Sequence, residues 1–112
     1  MILTLPWPPA SLSPNKRQHW SALARAKAAY RFACAMTAKQ QGATKVAAER
    51  LAVSLVFMPP DRRHRDLDNC LAAMKAGLDG LADVLGVDDS KWRLSIEMGE
   101  ATGGFVRVEV KA

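Results

Sequence analysis

The spacing of apolar residues changes twice between residues 46 and 98, and this change constrains the fold more than any other feature of the chain. Large apolar residues alternate within 46–58, which predicts a strand. Within 69–85 they lie three and four positions apart, which predicts a helix with one core-facing stripe that Gly86 ends. Alternation returns over 92–98, so strands and helices follow one another within a short chain.

The other segments complete the order strand, helix, strand, helix, strand, strand. We predict a strand over 1–5, a proline-rich loop over 6–18, a helix over 19–41 and a last strand over 105–110. The last two strands are joined through Gly99–Gly104 and are expected to form a terminal hairpin. We therefore expect one α+β domain over residues 1–112, in which a small mixed sheet packs as one layer against two helices.

Charge is distributed unevenly along the chain. Residues 1–48 contain no Asp or Glu, and all eleven acids follow from Glu49 onward. The cations of the first part are Lys16, Arg17, Arg25, Lys27, Arg31, Lys39 and Lys45. With a net charge of +5, this pattern describes either a basic protein kept soluble by its charge or a phosphate-facing surface followed by an acidic site.

Several classes of protein are not expected. Cys34 and Cys70 are too few and too isolated for a disulfide scaffold or a zinc site. The N-terminal segment lacks the features of a signal peptide, and no run of about 18 apolar residues predicts a membrane span. The sequence has no glycine-rich phosphate loop, so we expect no nucleotide cofactor. The cytoplasm is the expected compartment.

The proline-rich loop and the basic helix after it are candidates for contact with DNA. The loop ends in Lys16 and Arg17, and it is either a DNA-facing arm or a plain connector. Trp7, Trp20 and Trp92 have side chains that stack on bases in some proteins, but core packing is the stronger expectation for each of them.

The densest cluster of charge is Asp61–Asn69, where a strand gives way to a helix. Asp66 and Asp68 present both carboxylates on one side if Asp66 precedes the helix and Asp68 begins it. Converging oxygen ligands are what Mg²⁺ prefers, and such a metal generates hydroxide and stabilises charge on a phosphodiester. The simpler interpretation is that both acids cap the helix and pair with neighbouring arginines.

A third acid is expected in the Asp88–Asp89 turn that follows the same helix. A helix of about 17 residues is roughly 25 Å long, so its two ends cannot hold one metal unless the chain past Gly86 doubles back. Local spacing does not bring Asp89 to Asp66, and an ordinary polar turn is the simpler interpretation.

Basic residues accompany these acids. Arg62, Arg63 and Arg65 suit an acidic site that DNA must approach, because guanidinium groups bind phosphates, although a solvated salt-bridge cluster is the alternative. Lys75 is a candidate for contact with the scissile phosphate, but a surface pair with Asp79 fits the spacing equally well.

Taken together, these segments make the chain resemble the RusA family of Holliday junction resolvases, which is found in bacteria and often carried by prophages. The matching segments are LPWPP at 5–9, PPDRRHRDLDN at 59–69, Lys75 with Asp79 and Leu81, and Gly86 followed by Asp88–Asp89. Their order and approximate spacing extend over nearly the whole chain.

The resemblance implies a homodimer with a two-layer RusA-like fold that binds four-way DNA junctions in recombination and repair and makes paired nicks with Mg²⁺ or Mn²⁺. It implies that Asp66, Asp68 and Asp89 hold the metal and that Arg65 and Lys75 are the essential basic residues. The further DNA contacts that we expect are Arg62, Arg63, Lys16, Arg17 and Asn69. The resemblance also implies that the distance to Asp89 is bridged, either by a turn that folds back or by the second subunit.

The chain departs from the family at one position. The best-known members have a lysine four residues after the second Asp of the motif, where this chain has Ala72. Lys75 comes three residues later, which keeps the helix face approximately and moves the amine by about 4–5 Å.

We therefore expect a metal-dependent endodeoxyribonuclease that resolves Holliday junctions and related branched DNA. The alternative is a branched-DNA binding protein without catalysis. A phosphotransferase that uses Asp66 and Asp68 is disfavoured because four basic residues, not an apolar strand, precede Asp66. The preferred cleavage sequence, and the choice between junctions, flaps and forks, are left open.

Overall fold

Four strands and two helices follow one another in the predicted order. The computed structural model describes all residues, Met1–Ala112. The elements are β1 (Ile2–Pro6), α1 (Trp20–Gln40), β2 (Leu51–Met58), α2 (Leu67–Leu85), β3 (Trp92–Met98) and β4 (Phe105–Lys111). Short 3₁₀ turns lie at Ala10–Leu12 and Asp89–Lys91. The predicted α+β class, with a mixed sheet and two helices, is confirmed.

The strands lie in the order β1–β4–β2–β3, which differs from the predicted arrangement. β4 is antiparallel to both β1 and β2, whereas β2 and β3 are parallel, with Leu51 opposite Trp92. Parallel neighbours require a crossover connection, and α2 is that crossover. The predicted terminal hairpin of the last two strands is wrong, because β2 lies between them.

β4 lies inside the sheet. Its inward-facing Val106, Val108 and Val110 are buried, and it has hydrogen-bonded neighbours on both sides. The connection from β3 is anchored on the end of β2, where the amides of Gly99 and Gly104 donate to the carbonyls of Phe57 and Met58 at 2.8 Å. The glycine-containing connection therefore passes the end of β2 and does not turn β3 back on itself.

β2 begins later than predicted, at Leu51 and not at residue 46. Its pairing partners begin at the same level, since Leu51 lies opposite Trp92 and Ala52 lies opposite Lys111. Residues 46–50 have no strand beside them. They are held instead by the amide of Val46, which donates to the carbonyl of Leu85 at 2.9 Å.

Both helices cover the same face of the sheet, where the core lies. The largest fully buried side chains come from the strands and from α2 and include Phe57, Leu55, Met74, Leu81 and Leu85. Neither helix combines the length and apolar character that a membrane-spanning helix requires.

The tryptophans differ in their surroundings. Trp7 and Trp92 are half-buried against the core, as predicted. The prediction of core packing is wrong for Trp20, whose side chain is 75% exposed. Trp20 is the first residue of α1, where the helix extends beyond the sheet-covered core, and its ring lies beside His19.

The two edges of the sheet are not equivalent. The side chain of Gln41 lies against β1, where its amide group accepts from the backbone N–H of Thr4 and donates to the carbonyl of Thr4, both at 2.7 Å. The Gln41 side chain thus makes the two backbone hydrogen bonds that a neighbouring strand would make with Thr4. The outer edge of β3 has no such cover and remains open to pairing.

The helices approach each other closely because α2 carries glycines on the side that faces α1. A Cβ on Gly77 would lie 2.6 Å from the Tyr30 ring, and a Cβ on Gly80 would overlap the backbone carbonyl of Arg31. The Arg31 backbone cannot move as a side chain does, so Gly80 determines how close the helices pack.

Gly80→Ala is therefore expected to destabilise the protein by about 1–3 kcal/mol, the usual effect of overpacking. Helix propensity alone predicts the opposite sign, since Ala is favoured over Gly by about 1 kcal/mol. Urea unfolding of both proteins measures the difference, and Ala72→Gly, at an exposed position of the same helix, calibrates propensity. A more stable Gly80→Ala protein would contradict the close packing.

Candidate functional site

The first acids of the predicted site lie at the start of α2, as the sequence indicated. Asp66 is the N-cap residue with extended backbone, and Asp68 lies in the first turn. The Asp66 carboxylate makes no capping hydrogen bond with the helix. It lies instead 3.1 Å from Nε2 of His64 and 3.5 Å from the side-chain nitrogen of Asn69. The simpler interpretation of Asp66 as a side-chain cap is therefore not what the structure contains.

After α2 the chain turns back along the helix. Gly86 adopts a left-handed conformation with φ of 72°, which glycine reaches without steric cost. Asp88 then caps the 3₁₀ turn by accepting from the amide of Ser90 at 3.1 Å. Hydrogen bonding with the Ser90 side chain, and then with this amide, lowers the pKa of the Asp88 carboxyl. The turn directs Asp89 to Lys75, in the middle of α2, and the two form an ion pair. One chain therefore folds back far enough to bring Asp89 halfway along α2.

Lys75 lies between two carboxylates. Its Nζ donates to Asp79 at 2.6 Å and also to Asp89. The hydrogen bonds to Asp79 and Asp89 raise the pKa of Lys75, so its ammonium remains charged at neutral pH. The sequence predicted the Asp79 contact only as a surface pair, and its signal was the four-residue spacing. Asp79 is thus a further acid beside the site.

Asp68, Lys75 and Asp89 line one surface pocket of about 330 Å³, together with the apolar side chains of Trp92 and Leu94. We call this concavity the acid pocket. Asp68 and Lys75 are two helical turns, about 10 Å, apart along the axis. Asp66 is not among the residues that line the acid pocket, and no three acidic, His or Cys side chains of the monomer are arranged to hold a metal ion.

Asp66 lines a second and larger concavity of about 700 Å³. It lies between the proline-rich loop 6–18 and the loop 59–66, and we call it the loop cleft. Its lining includes Trp7 and Asn15 from the first loop, Arg63 and Asp66 from the second, and Asn69 from α2. The two predicted motifs therefore form one surface, although Asp66 and Asp68 face different concavities.

Arg65 forms a fixed wall of the loop cleft. Its side chain is only 16% exposed, lies 2.9 Å from the Asp61 carboxylate and donates to the backbone carbonyls of Asp61 and Arg63 at 3.1 Å. Its guanidinium group lies over the Trp7 ring at 5.6 Å, and that ring meets Phe57 edge-on. The sequence did not reveal this cation–π contact, because the two residues are far apart in the chain.

The other predicted DNA contacts lie at the surface. Lys16, Arg17 and Arg62 are exposed. Arg63 is exposed as well and pairs loosely with Asp61 at 3.4 Å. These cations are neighbours in sequence of residues that line the loop cleft. Lys16 and Arg17 follow Asn15, and Arg62 precedes Arg63.

The Asp61 carboxyl has a pKa lowered from 3.8 to about 2, first by the hydrogen bond from Arg65 and then by that from the amide of Arg63. Because the folded-state pKa lies below the unfolded one, this pairing stabilises the fold above about pH 4 and is lost as the pH falls toward 2. We expect Asp61→Asn to lower the melting temperature at pH 6, with a difference from wild type that shrinks as the pH falls below 4.

Thermal unfolding followed by circular dichroism at pH 6, 5, 4 and 3 measures this dependence. Glu100→Gln removes the same charge from an exposed loop and serves as the control. If the melting-temperature difference between Asp61→Asn and wild type does not change with pH, the charge of Asp61 does not hold Arg65 in the wall of the loop cleft.

Comparison with known proteins gives one relative. No family model matches the chain. The chain is similar to an uncharacterized protein of Xylella fastidiosa, with 40% identity over 93 residues that cover 80% of this chain. The same segment covers 61% of that protein, so this chain spans less than two thirds of its relative's length. The relative has no stated activity, and function is therefore argued from the site.

Proposed function

We propose that the protein is a metal-dependent endodeoxyribonuclease with a RusA-like fold that acts in the cytoplasm on Holliday junctions and related branched DNA. The observation that carries the proposal is the turn after Gly86, which brings Asp89 to Lys75 and into the same pocket as Asp68. Acids from the two ends of one helix thus share a surface with a cation. The resemblance of the sequence to the RusA family supports the same assignment.

The donors of the acid pocket suit a hard cation. Asp68 and Asp89 supply carboxylate oxygens, and Mg²⁺ in proteins commonly takes only one or two carboxylates and keeps several waters. We assign Mg²⁺ or Mn²⁺ to these two residues. Asp66, the third acid that the family resemblance implies, lies in the loop cleft against His64 and Asn69, so its side chain would have to leave these partners to join them. When bound, the metal supplies Lewis-acid stabilisation of the charge that develops on a phosphodiester during hydrolysis.

Lys75 carries positive charge at the pocket in the absence of substrate. Its single positive charge offsets part of the negative charge of Asp89 and Asp79, which reduces the repulsion that three carboxylates would exert on a phosphate. When a phosphate enters, the flexible lysine donates to a phosphate oxygen. Asp79, one helical turn away, holds the amine at the pocket.

The exposed cations and the loop cleft suit DNA. Lys16, Arg17, Arg62 and Arg63 bind phosphates in this proposal, and Asn69 contacts the strand beside Asp66. The almost buried Arg65 acts by fixing the cleft wall. In this proposal, Arg65 is essential because it holds that wall in place.

A homodimer fits both the substrate and the sheet. A four-way junction has two-fold symmetry, and two related subunits place one site at each cut strand. The open edge of β3 is suited to a second copy, since Gln41 covers the opposite edge of the sheet. Trp92 is half-buried and Leu94 is 39% exposed on β3, so apolar surface lies beside that edge.

Incubation of the purified protein with a labelled synthetic four-way junction tests the proposal. We expect nicked duplex products with Mg²⁺, none with EDTA, and little cleavage of a linear duplex of the same sequence. Asp68→Asn and Asp89→Asn are expected to slow cleavage by at least about a hundredfold, the scale found when one charge-stabilising group is lost. Binding of the junction should persist, because neither change removes a phosphate-binding cation.

Glu100→Gln is the matched control, because it removes one negative charge from an exposed loop position outside β3 and outside the acid pocket. This variant is expected to cut at the wild-type rate. Cleavage by Asp68→Asn at the wild-type rate would remove the metal assignment.

A branched-DNA binding protein without catalysis is the second candidate. It is favoured by two observations: the monomer contains no three-acid cluster, and Lys75 already lies against Asp89. This candidate predicts junction binding without cleavage at any Mg²⁺ or Mn²⁺ concentration, and the same assay separates the two functions.

A further inference from the structure

The loop cleft is larger than the acid pocket, at about 700 Å³ against about 330 Å³, and cleavage at the acid pocket does not by itself require it. Its volume lies in the range of clefts that enclose small organic molecules. It opens beside the first turn of α2, so a molecule in it lies next to Asp66 and Asn69. Any occupant is therefore close to the acid-bearing end of the helix.

One wall of the loop cleft pairs an aromatic ring with a cation. The central carbon of the Arg65 guanidinium group lies 5.6 Å from the centroid of the Trp7 ring, and Phe57 meets that ring edge-on from the core. Because Asp61 and two backbone carbonyls already hold Arg65, little side-chain entropy is lost when a ligand packs on it. Aromatic rings and guanidinium planes are the groups on which nucleobases stack in proteins.

The rest of the cleft combines apolar residues, among them Pro9 and Pro60, with polar side chains and a cation at the rim. Asn15 and Asn69 carry amide groups that both donate and accept hydrogen bonds, which suits the mixed edge of a nucleobase. Arg63 lines the cleft with a side chain that is 80% exposed and is able to reach a phosphate. The wall and the amide groups suit the base of a nucleotide, and the rim cation suits its phosphate.

We propose that the loop cleft binds a single unpaired nucleotide of the branched DNA, with its base packed against Trp7 and Arg65 and a phosphate at Arg63. This inference rests on the proposed action on branched DNA and adds to it the part of the substrate that the protein recognises. A paired base has its faces covered by its neighbours in the stack, so the cleft accommodates a base only after it has left the helix. Branch points are where bases unstack most readily.

The position of the cleft gives the unpaired nucleotide a role. Asp66 and Asn69 lie in the cleft, while Asp68 lies in the acid pocket on the neighbouring face of α2. A strand whose nucleotide is held in the cleft has its next phosphates beside the start of the helix. The cleft therefore selects the branch point and aligns the strand with the acids.

A binding experiment in EDTA tests the cleft without cleavage. Gel-shift titrations compare a fully paired four-way junction with the same junction carrying one unpaired thymidine at the exchange point. We expect the wild-type protein to bind the second probe at least about tenfold more tightly, because base stacking is gained without the cost of unpairing.

Two variants of the cleft should lose this preference. Trp7→Leu keeps an apolar side chain against Phe57 and removes the aromatic surface. Asn15→Trp fills the cleft from an exposed loop position, where it leaves the core intact. Thr44→Trp introduces the same side chain at an exposed position that does not line the cleft, and it should keep the preference.

The outcomes separate the two proposals. Equal wild-type affinity for both junctions, or a preference that survives in Asn15→Trp, overturns the nucleotide cleft and leaves the endonuclease proposal intact. Failure to bind any junction overturns both. The nucleotide cleft is supported if wild type and Thr44→Trp prefer the junction with the unpaired thymidine. Asn15→Trp and Trp7→Leu should then bind both junctions equally well.

Discussion

The ion pair between Lys75 and Asp89 is the contact on which the rest of the site depends. Because β2 and β3 are parallel, α2 must carry the chain back along the full length of the sheet. Without a further turn, acids before and after such a helix would remain at its opposite ends. The left-handed turn at Gly86 and the short 3₁₀ turn reverse the chain, and Lys75 holds the end of that turn against the middle of α2.

The packing of the helices supports this arrangement. Gly80 allows α2 to lie against the backbone of α1, which fixes the distance between the two helices. The same close packing buries Met74 and Leu78 on one side of α2 and leaves Lys75 and Asp79 on the other. The core-facing stripe thus decides which face of the helix carries the candidate chemistry.

The sequence predicted most elements, because periodicity and helix-ending residues are local signals. The position of α2, its end at Gly86 and the strands at 92–98 and 105–111 all follow from spacing alone. Strand order does not follow from spacing, because alternation shows which face of a strand is buried and not which strand pairs with it. The last two strands are adjacent in sequence, yet β4 pairs with β2 and β1, and no local pattern encodes that choice of partners.

The candidate site was predictable only in part, for the same reason. Asp66 before the helix and Asp68 in its first turn follow from the local sequence, and the structure has them there. Their placement in two different concavities depends on the proline-rich loop, which packs Trp7 against Arg65 from far away in the chain. Asp79 had a local signal, its spacing from Lys75, but its proximity to Asp89 depends on the turn after α2.

Anomalous diffraction from crystals soaked in Mn²⁺ tests most directly whether acids from both ends of α2 share a divalent cation. The account predicts one anomalous peak per subunit in the acid pocket, with carboxylate oxygens of Asp68 and Asp89 at about 2.0–2.3 Å, close to the distances known for small hard cations. A structure in which these carboxylates remain more than a coordination shell apart, with no peak between them in monomer or dimer, would contradict it.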